Sequence, residues 1–198
     1  MSRRKSGYSR RKTNVREVRQ RFLILCEGEK TEPNYFRRFR VFINVIEIDV
    51  QGVAKDPGKI VKEAKNLEEQ EDYDQVWCVF DRDNWTPENF NNAISSAEKQ
   101  SFKVAYSNEA FELWYVLHFE FLNAGIPRSD YCKKLDGYLN RRYQKNSEAI
   151  YDELLNKQPT AIKNAESLLK QYDSHTPARN NPSTTVHLLV QELNRFIK

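Results

Sequence analysis

An α/β fold is what this chain predicts: a four-stranded, mainly parallel sheet flanked by helices, with a helical C-terminal extension. Three observations predict it. Short apolar or β-branched runs alternate four times with segments of helical pattern. The segments between runs are of a length suited to crossover helices, which parallel strands require. From about residue 122 the strand pattern stops and only helical patterns continue.

The elements follow in order. Residues 1–20 are polar, arginine-rich and non-periodic, so a basic arm without a fold of its own is expected. "RFLILC" (21–26) is a continuous apolar run and reads as a buried strand. "TEPNYFRRFRVFI" (31–43) reads as a helix, with Thr31 as N-cap and Pro33 in the first turn. "NVIEIDV" (44–50) alternates and is rich in β-branched residues, so a strand is expected. "DPGKIVKEAKNLEEQ" (56–70) is the next helix and "QVWCVF" (75–80) the third strand. "TPENFNNAISSAEKQ" (86–100) opens with a Thr-Pro helix start, and "SFKVAYS" (101–107) is the fourth strand. "NEAFELWYVLHFEF" (108–121) is apolar nearly all round, the pattern of a buried helix, with Asn108 as its cap. Four further helical patterns fill the last third. The division expected is an arm at 1–20, an α/β core at 21–122 and a helical extension at 123–198 packed on that core.

Charge is distributed unevenly. The first 21 residues hold nine Arg or Lys and one Glu, leaving 23 basic against 27 acidic residues in the rest. A basic arm thus precedes an acidic body, and residues 3–21 are expected to bind nucleic-acid phosphates without sequence preference. No apolar run reaches the length of a membrane span, and the N-terminus lacks the apolar middle of a secretory signal. The three cysteines, Cys26, Cys78 and Cys132, are widely spaced and odd in number, which argues against a disulfide framework or a zinc motif. A cytoplasmic protein is expected.

The chemistry gathers where two apolar strands end. "FLILCEGEKTE" (22–32) stops on Glu27-Gly28, and "QVWCVFDRDNW" (75–85) stops on Asp81-Arg82-Asp83. Open parallel sheets bind ligands just beyond the carboxyl ends of their strands. If these two strands are neighbours, Glu27, Asp81 and Asp83 converge. In an extended segment residues two apart point the same way, so both aspartates can face one ion. Gly28 allows a sharp turn. Carboxylates crowded together repel, and a hard cation such as Mg²⁺ (or Mn²⁺) resolves the repulsion.

These strand ends resemble the Toprim fold of topoisomerases, primases and nucleases of the overcoming-lysogenization-defect type. More narrowly, "LCEGEKTEPNYF", "VFDRDNW", "YSNEAFELWYVLHF" and "NPSTTVHLLVQEL" resemble, in order, the successive blocks of the RloB family over about 22–195. In that pattern a proline usually follows the asparagine of the third block, where this chain has Glu109. The resemblance implies a Toprim domain with Glu27, Asp81 and Asp83 as its metal acids. It also implies an anti-phage defence component, encoded near restriction–modification genes and working beside an ATPase partner.

Other residues have two readings each. Glu32 either supports the metal, as a second acid does in the overcoming-lysogenization-defect nucleases, or complements a helix dipole. Glu112, a charge in an otherwise apolar segment, either joins the metal shell or is a buried partner of an arginine. Glu109 would share its helical face. Lys30 either neutralises a phosphate oxygen or is a surface charge. His118 reads as a core residue, Ser183 or Thr184 as a helix cap, and Arg179 as a cap-loop or substrate residue.

A site of this kind suits Mg²⁺-dependent hydrolysis of nucleic-acid phosphodiesters, DNA or RNA. No strand-gate module or zinc ribbon accompanies it, which disfavours a topoisomerase or a primase. The alternative is a non-catalytic nucleic-acid-binding or regulatory protein that keeps the fold. With no P-loop of its own, the nuclease would be restrained by the ATPase partner or by self-association, with a dimer favoured.

Overall fold

The computed structural model describes residues 19–83, 85–172 and 176–197. All but the last residues of the expected arm lie outside that range. The elements are β1 (Gln20–Cys26), α1 (Thr31–Phe36), β2 (Ile46–Gly52), α2 (Pro57–Glu68), β3 (Gln75–Asp81), α3 (Pro87–Lys99) and β4 (Lys103–Asn108). They continue with α4 (Glu112–Val116), α5 (Arg128–Leu139), α6 (Ile150–Leu154), a 3-10 turn (Leu155–Lys157), α7 (Gln158–Leu169), β5 (Ser183–Thr184) and α8 (Val186–Asn194).

The strands lie in the order β2-β1-β3-β4-β5. The first four are parallel, as the alternation of elements requires. β1 and β3 are neighbours, with Cys26 beside Val79, so the two acidic strand ends meet at one edge. Their unbroken apolar runs follow from burial on both faces. Phe22, Ile24, Trp77 and Val79 enter one core cluster, while Leu23, Leu25, Cys78 and Phe80 enter the other. The second face is covered by α2 and α3 through Ile60, Ala64, Phe90, Ala93 and Ile94. Both helices start as their sequences predict, since the Asp56 side chain accepts the Lys59 N–H and the Thr86 hydroxyl accepts the Asn89 N–H.

The first face is covered by α1, α4 and the C-terminal helices together. Tyr131, Leu135, Leu154, Ala161, Ala165, Leu189 and Leu193 belong to the same cluster as Phe22 and Trp114. The sheet therefore does not close its core without these helices. Among the described residues, no helix is long and apolar enough to cross a membrane.

Three local expectations are corrected. The sheet has a fifth strand, the two-residue β5, antiparallel to β4. Side-chain hydroxyls tie it there: Thr184 donates to the Tyr106 carbonyl at 2.9 Å and Thr185 to the Val104 carbonyl at 3.0 Å. The helix expected over 31–43 ends at Phe36, because the Arg38 and Phe39 N–H groups turn to carbonyls three residues back. That bend buries Phe39 beside Tyr151 and leaves the Arg37 guanidinium free to bond the Val50 carbonyl. The helix expected over 108–121 shrinks to Glu112–Val116. Asn108 is no cap: it is the buried last residue of β4 and donates to the Pro177 carbonyl. The Asn108–Glu109 peptide that follows is cis.

Candidate carboxylate site

At the C-terminal edge of β1 and β3 lies a cavity of about 120 Å³, bounded by Glu27, Glu32, Asp81, Asp83, Glu112 and Arg128 together with Gly28, Thr31 and Phe111. Of the acids singled out in the sequence, Glu27, Glu32, Asp81, Asp83 and Glu112 reach it. Lys30 does not. It is exposed at the N-cap position of α1, and Arg179 is exposed elsewhere.

Glu27 remains in register, its N–H bonded to the Val79 carbonyl. Its carboxylate is fixed at both oxygens: one accepts the Asp81 N–H at 3.0 Å, the other the Trp85 indole N–H at 2.9 Å. Burial raises its pKa, while those two bonds pull the other way. Asp81 is 5% exposed and accepts the Phe111 N–H at 2.9 Å. Its pKa is pushed well up, first by burial and then by the charges of Glu32, Glu112 and Glu27. Asp83 reaches the same cavity by another route than the expected pleat. The chain turns after Asp81, and Asp83 takes a left-handed φ of 34°, which aspartate tolerates better than most residues. Its N–H bonds the Glu109 carbonyl at 2.9 Å, which ties the two loops together.

Glu32 rises from the first turn of α1 and is buried under Gly28. A Cβ on Gly28 would stand against the Glu32 carboxylate, so the glycine makes the approach possible. Burial, with the charges of Glu112 and Glu27, pushes Glu32 up to about 7. Neutralising a short helix's dipole does not account for a carboxylate that is 5% exposed among other acids. Glu112 begins α4 and has no exposed surface. One oxygen faces Lys145 Nζ at 3.4 Å and the Tyr143 hydroxyl at 3.5 Å. The other has no hydrogen-bond partner and lies 3.8 Å from Arg128 Nε. Glu109 precedes the helix, so it does not share a helical face with Glu112.

Arg128, at the start of α5, is the cation that sequence reasoning missed. It donates to Asp83 at 2.8 Å and stands 3.9 Å from Asp81. Lys145 and Trp85 were missed as well. Pro127 marks a helix start before Arg128, and the reading of Glu112 as a buried partner of an arginine called for such a group, but neither signal names Arg128. Among the described residues, no three acidic, histidine or cysteine side chains close on a common point as they stand. The donor set nevertheless fits a hard divalent cation. Five carboxylates border one small cavity against a single guanidinium, and one buried carboxylate oxygen has no hydrogen-bond partner.

Parallel strands with helices on both faces, and acids gathered beyond adjacent strand ends, define an α/β protein of Toprim-like fold. The chain belongs to the RloB-like protein family, whose pattern matches residues 22–193. No curated protein and no solved structure matches it.

Proposed function

We propose that this protein is a divalent-metal-dependent nuclease that hydrolyses nucleic-acid phosphodiesters. The observation that carries the reading is the convergence of five carboxylates on one cavity at the ligand-binding edge of a parallel sheet. Glu27, Asp81 and Asp83 would hold Mg²⁺ or Mn²⁺, with Glu32 and Glu112 beside them. A bound metal of this kind supplies an activated water and charge stabilisation at phosphorus. The chain's own groups orient the donors. The Asp81 N–H and the Trp85 indole fix Glu27, and the Phe111 N–H fixes Asp81, in the manner of outer-shell partners. Arg128, with its side chain about one-third exposed at 35%, is placed to offer its charge to a phosphate entering the cavity. The reading extends to an anti-phage role beside an ATPase partner, which the resemblance of the sequence blocks implies, with weak activity of the isolated chain and activation by that partner.

The test is incubation of the purified protein with mixed RNA and DNA, with Mg²⁺ or Mn²⁺ against EDTA, repeated with the ATPase partner. Metal-dependent cleavage lost in Asp81→Asn supports the reading. No cleavage even with partner and phage trigger overturns it. One observation favours a second reading, a non-catalytic nucleic-acid-binding or regulatory protein. Arg128 already offsets part of the acidic charge, so the fold can keep these carboxylates without a metal.

A further inference from the structure

A second concavity is linked to the carboxylate cavity through one residue, which belongs to the walls of this cleft and to the bonding of the acids. Between α2 and α3 lies a cleft of about 410 Å³, bounded by Trp85, Asn89, Asn92, Ser96, Lys62 and Asp56 among others. Trp85 sends its indole N–H to Glu27 at 2.9 Å and lends its ring to the cleft wall. The polar edge of that ring is already used. What remains to offer a ligand is apolar aromatic surface.

The rest of the wall is polar in a particular way. Asn89 and Asn92 lie three apart on α3, on one face of the helix, and both are exposed. Each amide carries a donor and an acceptor, the pairing that reads the edge of a base. Asp56 adds an acceptor. Its pKa is lowered, chiefly by the hydrogen bond from Lys59, so it is a carboxylate at neutral pH. Lys62 supplies a cation at the rim. An aromatic face beside amide and carboxylate edges suits a planar heterocycle with its own donors and acceptors.

We infer that this cleft is a nucleobase subsite, which holds one unpaired base of a single-stranded nucleic acid against Trp85 while the adjoining backbone lies at the carboxylates. The inference rests on the nuclease reading for what happens at the acids, but not for the binding itself. Trp85 then couples the two places: the residue that receives the base also fixes Glu27. Single-stranded nucleic acids are held in this way by aromatic platforms, with little demand on sequence.

The test uses the full chain in EDTA, titrated with short single-stranded DNA and RNA oligonucleotides and with a duplex of the same sequence. Salt of about 0.3 M suppresses purely electrostatic binding by the basic arm. Trp77 and Trp114 are 3% and 0% exposed, so accessible tryptophan emission reports Trp85. Single strands are expected to quench that emission, and the duplex is not. Trp85→Ala should weaken binding about tenfold or more, as loss of one stacked base does. Trp85→Phe keeps a ring without the Glu27 bond and should retain most of the affinity. Ser96→Phe, on an exposed helix position, should block the cleft without unfolding the chain. Unchanged affinity in both Trp85→Ala and Ser96→Phe, or equal quenching by the duplex, would overturn the inference. Stacking without any metal-dependent cleavage, even with the ATPase partner and phage trigger present, would sink the nuclease reading and leave the subsite standing. Cleavage with unchanged affinity in those two variants would do the reverse.

Discussion

Arg128 and Asp83 lie 45 positions apart in the chain and meet at 2.8 Å, the guanidinium of an α5 residue on the carboxylate of a β3–α3 turn. The same guanidinium stands within 4 Å of Asp81 and Glu112. It is the resident counter-charge of the acidic cavity. Arg128→Gln is therefore expected to lower the stability of the protein in EDTA, by about 1–2 kcal/mol after allowing for partial exposure. Added Mg²⁺ or Mn²⁺ should then raise the melting temperature more in the variant than in the parent. Thermal unfolding with and without metal measures both. A smaller metal response in the variant would show that the arginine assists the metal and does not compete with it.

Asp81 has two roles that substitution can separate. Its Oδ2 accepts the buried Phe111 N–H, so Asp81→Ala leaves that donor without a partner and should cost about 1–3 kcal/mol. Asp81→Asn retains an accepting oxygen and removes a charge that Glu32, Glu112 and Glu27 all oppose. The asparagine variant should fold at least as stably in EDTA and lose metal-induced stabilisation. Denaturant melts of the two variants, with and without Mn²⁺, check the pair.

Two glycines near the cavity should respond differently. At Gly28, a methyl would meet only the end of the Glu32 side chain. Gly28→Ala should cost little stability and turn Glu32 out of the cavity, weakening metal binding. At Gly52, a methyl would lie 2.5 Å from the Gly28 carbonyl oxygen and 2.7 Å from Glu29 Cα, both backbone. Gly52→Ala must move the strand-end loop and should cost about 1–3 kcal/mol. Equal losses in the two variants would contradict this account.

Acid should weaken the fold through His118. The ring is 2% exposed, and its Nδ1 lies 2.9 Å from the Trp114 carbonyl, which can only accept, so Nδ1 carries the proton. Nε2 has no hydrogen-bond partner in the core. Burial lowers the pKa from 6.5 to about 4. The unfolded chain thus binds the proton first as pH falls, and stability drops between about 6.5 and 4. The full effect is about 3 kcal/mol, from 1.36 kcal/mol per unit. His118→Gln should remove that loss and leave the opposing slope of Glu32 and Asp81, whose raised pKa values make the folded chain take up protons first as pH falls.

The basic arm should give nucleic-acid binding its steep salt dependence. Deleting residues 1–20 is expected to reduce both the affinity and its slope against salt, because each phosphate neutralised releases counterions. Filter binding over a salt series reads both. An unchanged slope would assign the electrostatic contact to the folded part of the chain.

How much could be read in advance depended on what buried each residue. β1 and β3 were legible because burial on both faces makes their runs continuously apolar, and Glu27 and Asp81 stood out where those runs ended. Glu112 stood out as a charge inside an apolar segment. β5 was not legible, since two residues held by hydroxyl-to-carbonyl bonds leave no periodic pattern. Arg128 and Lys145 were not legible either. Both lie on the charged helical extension, and only the packing of that extension on the sheet brings them to Glu112. The turn at Asp83 was hidden because Asp-Arg-Asp fits a pleat and a left-handed bend equally well.

Tyr35 carries the widest consequence. Its ring packs against Phe111 and Trp114, which flank Glu112, and against Tyr151 of α6, while its own helix bears Glu32. Two of the cavity's acids thus hang on an aromatic hub that residues beyond 122 help to close. The boundary drawn at 122 in the sequence is therefore no place to cut the protein. Melting should be cooperative, with the carboxylate edge and the C-terminal helices lost in one transition, and a fragment ending there should lack a defined cavity as well as a closed core.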